Sequence, residues 1–298
     1  MSDPNTADCD SNLHASYYAD GMQQVETELV ENEQIAQSTY RLRVAAPTIA
    51  ARAVPGQFVM IRLAGVNAPL IGRALAIYDI VNNDQGEPTW VDLVYLQKGA
   101  FTTPCSQSPV GTPVSLWGPL GNGFDPRPCD RLIMAVGGIG QTPMLLLGRE
   151  ANGAQAFGRP NGWAKDVELI YGARNEGLLA GVDDFRQAGF DVQLCTDDGS
   201  AGQQALVPAI LEQRLQEIGD TASVRVVTCG PEIMMEKVAE CCQKHHVDCQ
   251  VSMETPMACG IGICFSCVAK VKQADGNWDY KRTCVEGPIF DAGKIDWS

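Results

Sequence analysis

Four cysteines near the carboxyl terminus constrain this chain more than any other feature. The run M-A-C-G-I-G-I-C-F-S-C (257–267) sets Cys259, Cys264 and Cys267 in a C-x4-C-x2-C array, and Cys284 follows after sixteen intervening residues. That spacing matches the plant-type pattern of thiolate ligands for a [2Fe–2S] cluster. Gly260 and Gly262 suit a chain wrapped closely around an inorganic core, where positive φ is needed and Cβ atoms have no room. Backbone N–H groups of such a loop point inward and tune the sulfurs. Zinc sites pair short knuckles on both sides, whereas here the fourth cysteine stands alone. A disulfide pair needs an oxidising compartment, for which there is no signal.

The chain has 298 residues, 45% of them hydrophobic and 19% charged, which fits two or three globular domains. A net charge of −14 argues against nucleic acid and anionic membranes as partners, since no basic cluster could neutralise phosphates. The cysteines outside the array (Cys9, Cys105, Cys129, Cys195, Cys229, Cys241, Cys242 and Cys249) share no spacing and read as buried thiols. The polar, acidic opening lacks a secretory apolar region, and no run is long enough to span a bilayer, so a reducing cytoplasm is expected.

Taken in order, residues 1–24 lack periodicity and read as a flexible tail, with His14, Tyr17 and Tyr18 as a conceivable docking patch. Short β-rich runs follow at 39–44, 57–63, 73–78, 90–96 and 113–117, punctuated by Gly and Pro. They predict an antiparallel barrel or sandwich over 25–125. From Arg131 the texture changes to continuous apolar runs (131–136, 167–172, 191–196, 224–229) alternating with helical segments, including 205–217 and 232–244. This predicts a parallel α/β sheet over 126–248, with 151–166 as a surface loop. Residues 249–298 form a small cysteine-array domain whose segment 270–282 reads as a hairpin with Asp275-Gly276 at its tip.

The turn Gly137-Gly138-Ile139-Gly140, with Thr142 and Pro143 opening the next helix, follows a buried strand. Cys229-Gly230-Pro231 ends another strand that could face it. In open parallel sheets ligands bind at the carboxyl ends of strands, and a helix N-terminus there favours phosphate, so a dinucleotide is expected at this edge. The full G-x-G-x-x-G fingerprint is absent, and a tight turn alone would also explain the glycines. Arg73 sits between apolar neighbours, either as an exposed strand arginine or as a grip on a phosphate diester. His245 and His246 cap a helix or face solvent, and Glu254 is a lone carboxylate that could serve as a catalytic acid. No Ser-His-Asp or His-Cys arrangement points to nucleophilic catalysis.

A barrel, then G-G-I-G-Q-T-P on an α/β unit, then C-G-P, then the cysteine array: this order resembles the ferredoxin–NADP reductase superfamily. W-G-P-L-G-N-G-F (117–124), T-D-D-G-S (196–200), the array itself and C-V-E-G-P-I-F (284–290) look more closely like the electron-transfer subunits of class B dihydroorotate dehydrogenases. The likeness covers 25–298. It implies FAD on the barrel, NAD(H) at the α/β edge, and a [2Fe–2S] cluster on Cys259, Cys264, Cys267 and Cys284. Electrons would pass to an FMN-containing catalytic partner subunit that oxidises dihydroorotate in pyrimidine biosynthesis. The flavin strand R-P-x-S maps onto Arg73, Ala74, Leu75 and Ala76 and keeps only its arginine. The strand I/L-Y-R maps onto Val94, Tyr95 and Leu96 and lacks its arginine, and the G-T pair maps onto Phe101 and Thr102. These departures remove hydrogen-bond and charge partners for flavin.

The expected protein is therefore a cytoplasmic, NAD(P)H-linked iron–sulfur flavoprotein subunit in which the cofactors carry the redox chemistry. Other acceptors (those of a sulfide dehydrogenase, a hydrogenase or a ferredoxin:NADP oxidoreductase) and a flavin-less redox sensor remain open from sequence. So does NADH against NADPH, since Arg174 fits a 2′-phosphate or plain solvent.

Overall fold

A computed structural model describes residues 19–65 and 69–298. Most of the expected tail, with His14, Tyr17 and Tyr18, lies outside the described residues. Within the described residues the first strand begins at Gln23, two residues inside the span expected as tail.

Six antiparallel strands close a barrel in the order β1-β2-β5-β4-β3-β6. They are β1 (Gln23–Ala36), β2 (Thr39–Ala45), β3 (Phe58–Leu63), β4 (Arg73–Asn82), β5 (Pro88–Leu96) and β6 (Pro113–Leu120). Two short helices, α1 (Pro47–Ala50) and α2 (Thr102–Ser106), add Ile49, Ala50 and Cys105 to its core. The alternation of strand residues fills the interior with Leu29, Leu42, Val44, Val59, Ile61, Leu93 and Leu116, all fully buried. β1 escaped the sequence reading because Leu29 is its one fully buried residue, so it shows almost no apolar alternation. It is recruited by pairing on both sides, with β2 and with β6.

The second unit is a sheet ordered β10-β9-β8-β7-β11-β12-β15. Its strands are β7 (Cys129–Gly137), β8 (Ala164–Ala173), β9 (Asp191–Thr196), β10 (Gln203–Gln204), β11 (Val224–Cys229) and β12 (Asp248–Ser252), all parallel. Helices α3 (Met144–Ala151) and α4 (Val182–Gln187) cover one face, over Leu132, Met134, Val136 and Tyr171. Helices α5 (Val207–Ile218) and α6 (Glu232–Lys244) cover the other, over Ile133, Ala135 and Ile170. After α6 the chain adds a hairpin, β13 (Val268–Lys272) with β14 (Trp278–Arg282), and then returns as β15 (Ile289–Asp291). β15 pairs antiparallel with β12, so the cysteine-bearing segment is stitched into the sheet edge.

This strand order reverses between β7 and β11, the switch point at which open α/β sheets bind ligands. Tyr78 and Val94 of the barrel pack into the same apolar cluster as Met134 and Val136 of the sheet, which holds the barrel against that switch point. The Tyr78 hydroxyl donates to Asp184 at 2.6 Å, and Arg149 reaches Asp79 at 2.6 Å across the same seam. No helix among the described residues is long and apolar enough to cross a membrane.

Glu168, buried on β8, is gripped by Arg214 of α5 at 2.8 Å and by Arg131 of β7. Burial pushes its carboxyl up, but the hydrogen bonds and charges of the two arginines outweigh it and hold the group below the usual carboxylate value. A depressed carboxyl stabilises the fold above its unfolded pKa and loses that contribution as the pH falls through its folded value. Glu168→Gln should cost about 1–2 kcal/mol at pH 7 by removing the charge that two half-buried guanidinium groups share, each of which keeps a second carboxylate, Arg131 with Asp166 and Arg214 with Glu217. In urea titrations the gap between variant and parent should narrow as the pH is lowered below about 4.5; a gap independent of pH would contradict this role.

Candidate functional site: a cleft at the barrel–sheet seam and an adjoining cysteine loop

β7 ends in Gly137, and a single 3-10 turn over Gly138–Gln141 leads through Pro143 into α3. The glycines answer to packing. A Cβ on Gly140 would lie 2.3 Å from the Cys229 carbonyl oxygen, and one on Gly230 would lie 2.9 Å from the Gly137 carbonyl oxygen. The turns G-G-I-G and C-G-P therefore meet backbone to backbone across the switch point, which lateral pairing of β7 with β11 sets up.

In front of them lies a cavity of about 310 Å³, within the range of small-ligand clefts. Three parts of the chain line it. The barrel contributes Arg73, Ala74, Leu75 and Ala76 from β4, Val94, Tyr95 and Leu96 from β5, and Lys98 and Thr102 beyond it. The sheet contributes Ile139, Thr142, Pro143 and Cys229. The third wall is the segment from Ser252 to Thr255 with Met257, which leaves β12 towards the cysteine array. Among the residues singled out from sequence, Phe101 is instead buried in the barrel core, and Gly137, Gly138, Gly140, Gly230 and Pro231 form the turns behind the wall rather than the wall itself.

The charged groups on the wall are Arg73, Lys98 and Glu254. Arg73 and Lys98 are exposed, and the aromatic wall is fixed: Tyr95 stacks on Tyr40 at 5.7 Å and its hydroxyl donates to Asn32 at 3.0 Å. Cations beside apolar and aromatic surface, with methyl-sized Ala74 and Ala76 leaving space, form a donor set that fits a flat ring system carrying a diphosphate. Glu254 keeps contact with solvent through the open cleft while protein surrounds its other sides. Desolvation pushes its carboxyl up, and Arg73 pulls in the other direction without cancelling the rise.

The cysteine loop sits against the barrel beside this cleft. The Trp117 indole N–H donates to the Cys259 carbonyl at 3.0 Å. Gly260 adopts φ +74° with its α-carbon pressed on the barrel, where a Cβ would lie 2.6 Å from Met60 Cγ. Gly262 has φ +80°, and Arg282 donates to its carbonyl at 3.1 Å. This folding puts the Cys264 thiol within hydrogen-bonding reach of Cys259, and Cys267 within reach of Cys284. The Ile261 N–H points at the Cys259 sulfur at 3.4 Å. Hydrogen bonds from Ser266 bring the Cys264 thiol down to about 6, in favour of thiolate. Cys267 and Cys284 share a proton, which lowers the first and raises the second. Two cysteine pairs in hydrogen-bonding reach and a backbone amide aimed at one of the sulfurs fit an iron–sulfur cluster. Cys267 and Cys284 are buried, whereas Cys264 is exposed between Ile263 and Phe265, themselves 69% and 62% exposed.

Lys98, Ser252, Met253 and Met257 were not singled out from sequence. Their presence on the wall comes from tertiary packing; the only local cue was a basic residue just before the turn at Gly99.

Residues 254–296 match the family model for the iron–sulfur cluster binding domain of dihydroorotate dehydrogenase B. A dihydroorotate dehydrogenase B (NAD(+)) electron transfer subunit from Clostridium perfringens is 35% identical over 269 residues, 90% of this chain and 96% of the relative. Its counterpart from Desulforamulus reducens is 34% identical over 264 residues, 88% of this chain and 94% of the relative. Among solved structures, an NADH-dependent reduced ferredoxin-NADP oxidoreductase superposes with a TM-score of 0.74 at 24% identity, over 91% of this chain and 90% of that one. Phthalate dioxygenase reductase superposes with a TM-score of 0.57 at 17% identity, over 88% and 94%. These structures share the fold.

Two glycine substitutions separate strain from packing. Gly276, at the hairpin tip, has φ +84° and open space around it, so Gly276→Ala should cost about 1 kcal/mol from backbone strain alone. Gly260→Ala adds a collision with Met60 to similar strain and should cost about 2–4 kcal/mol. Equal shifts of the two denaturation midpoints would show that the loop does not bear on the barrel.

Proposed function

The chain belongs to the family of dihydroorotate dehydrogenase B electron transfer subunits, and from that premise we propose that it relays electrons between NAD(H) and a catalytic dihydroorotate dehydrogenase subunit through FAD and a [2Fe–2S] cluster. One observation carries the reading. A single cleft is walled by the barrel strands, by the sheet's switch point and by the segment that runs directly into the cysteine array. The bound groups would supply the exchange of an electron pair, delivered as hydride, for single electrons.

The chain's own residues do the placing. Arg73 offers a guanidinium to phosphate oxygens at the mouth of the cleft. Tyr95, held by Tyr40 and Asn32, gives a rigid wall, and Ala74 and Ala76 leave room for a ring. Thr142, Pro143 and Cys229 bound the side on which a nicotinamide would enter, at the carboxyl ends of β7 and β11. Glu254, with its raised carboxyl, holds a proton inside the cleft above the usual carboxylate range. Cys259, Cys264, Cys267 and Cys284 hold iron, and Ile263 and Phe265 around Cys264 give an apolar rim where a partner subunit can exclude water. Work in a reducing cytoplasm belongs to the same reading, and the free thiols of the described cysteines support it.

Cofactor content of the anaerobically purified chain tests this. Extraction should yield about one FAD, two irons and two sulfides per chain. Cys284→Ser should lose most of the iron while keeping FAD. A chain with iron but no flavin, even after incubation with FAD, would overturn the flavin step.

Glu254→Gln keeps shape but not the titrating proton. NADH-to-dye turnover should fall roughly 10²-fold, with FAD and iron contents unchanged. Parent activity should decline as the pH rises past the raised pKa of Glu254, and the variant should lack that limb; an unaltered pH profile would remove Glu254 from proton handling.

A further inference from the structure

We infer that Lys98 is the second cationic contact for the diphosphate of the dinucleotide in the barrel cleft, and that Thr102 is the residue that positions it. This rests on the reading of the cleft as the FAD site and names a residue that reading does not use.

Charge makes the first argument. A dinucleotide diphosphate carries about two negative charges at neutral pH, and the chain around it has a net charge of −14. Glu254 stands on the same wall. Arg73 alone leaves the anion under-neutralised, and Lys98 is the other cation on the lining. Its ammonium makes no ion pair among the described residues, so binding a phosphate does not require breaking one.

Geometry makes the second. β5 ends at Leu96, and the chain turns over Lys98 and Gly99, the latter at φ +93°. The buried Thr102 hydroxyl accepts from the Lys98 N–H at 2.7 Å and donates to the Lys98 carbonyl at 2.8 Å. Thr102 lines the cleft, but its one proton is spent on that carbonyl. Its effect on a ligand therefore passes through the backbone it clamps. The preceding residue is fastened too: the Gln97 N–H donates to Ser38 at 2.7 Å and its side chain to Ser106 at 2.8 Å. The root of Lys98 is thus fixed from both sides while its ammonium remains available to the cleft.

The test uses the cluster-loaded chain from which flavin has been reversibly removed, with FAD and riboflavin binding measured by equilibrium dialysis. Riboflavin has the ring and lacks the phosphates. Lys98→Ala should weaken FAD binding about tenfold to a hundredfold and leave riboflavin binding within about twofold. Lys98→Arg should restore most of the FAD affinity. Thr102→Val should weaken FAD binding by a smaller factor, and Thr102→Ser, which keeps the hydroxyl, should recover it. Unchanged FAD affinity in Lys98→Ala overturns the proposal, as does an equal loss for FAD and riboflavin. A parent chain that binds riboflavin but not FAD, or neither, overturns the reading of the cleft itself, an outcome distinct from both.

Discussion

The fold depends on one contact: the seating of the cysteine loop against the barrel. Trp117 on β6 holds the Cys259 carbonyl, and Gly260 presses a bare α-carbon onto Met60 on β3. Cys267 and Cys284 are buried in one cluster with Phe58, Met60 and Leu120 of the barrel. Because β12 and β15 fasten the two ends of that segment to the sheet, the loop is tied to both larger units at once. A metal site made by a loop needs such support, since ligands that drift by an ångström no longer match the ion.

The cleft follows from the same closure. The parallel sheet supplies a switch point where the backbones of G-G-I-G and C-G-P press together, with the Met234 side chain packed against Gly137 and Gly230. The barrel supplies aromatic and cationic surface. The run from Ser252 to Met257 closes the third side on its way to the cysteines. A ring in this cleft would therefore lie beside the segment that leads to the cysteine array, and on the proposed function transfer would stay inside one chain until the exposed face near Cys264, Ile263 and Phe265.

Much of this was legible in the chain, for identifiable reasons. The cysteine array shows itself because ligand spacing is set by the size of an inorganic core and owes little to the rest of the fold. Buried parallel strands such as Arg131–Val136 and Val224–Cys229 are visible as unbroken apolar runs. β1 is not, because most of its residues keep some contact with solvent and its order comes from neighbours far along the chain. The glycines at 137, 140 and 230 point correctly to the switch point, but their spacing cannot tell phosphate contact from backbone packing; the distances to Cys229 and Gly137 favour packing. Lys98 was invisible because a lone lysine before a turn has no local signature, and its meaning comes from Arg73 and Glu254, which reach the same cleft from other elements.

The central claim is that the ring site and the sulfur cage form one conducting unit within this chain. Anaerobic addition of NADH to the cofactor-loaded protein, with visible absorbance and electron paramagnetic resonance recorded together, addresses it most directly. The account predicts loss of the flavin bands together with the signal of a reduced [2Fe–2S] centre, without a mediator or a second subunit. Bleached flavin beside a cluster that stays oxidised until dithionite is added would contradict it.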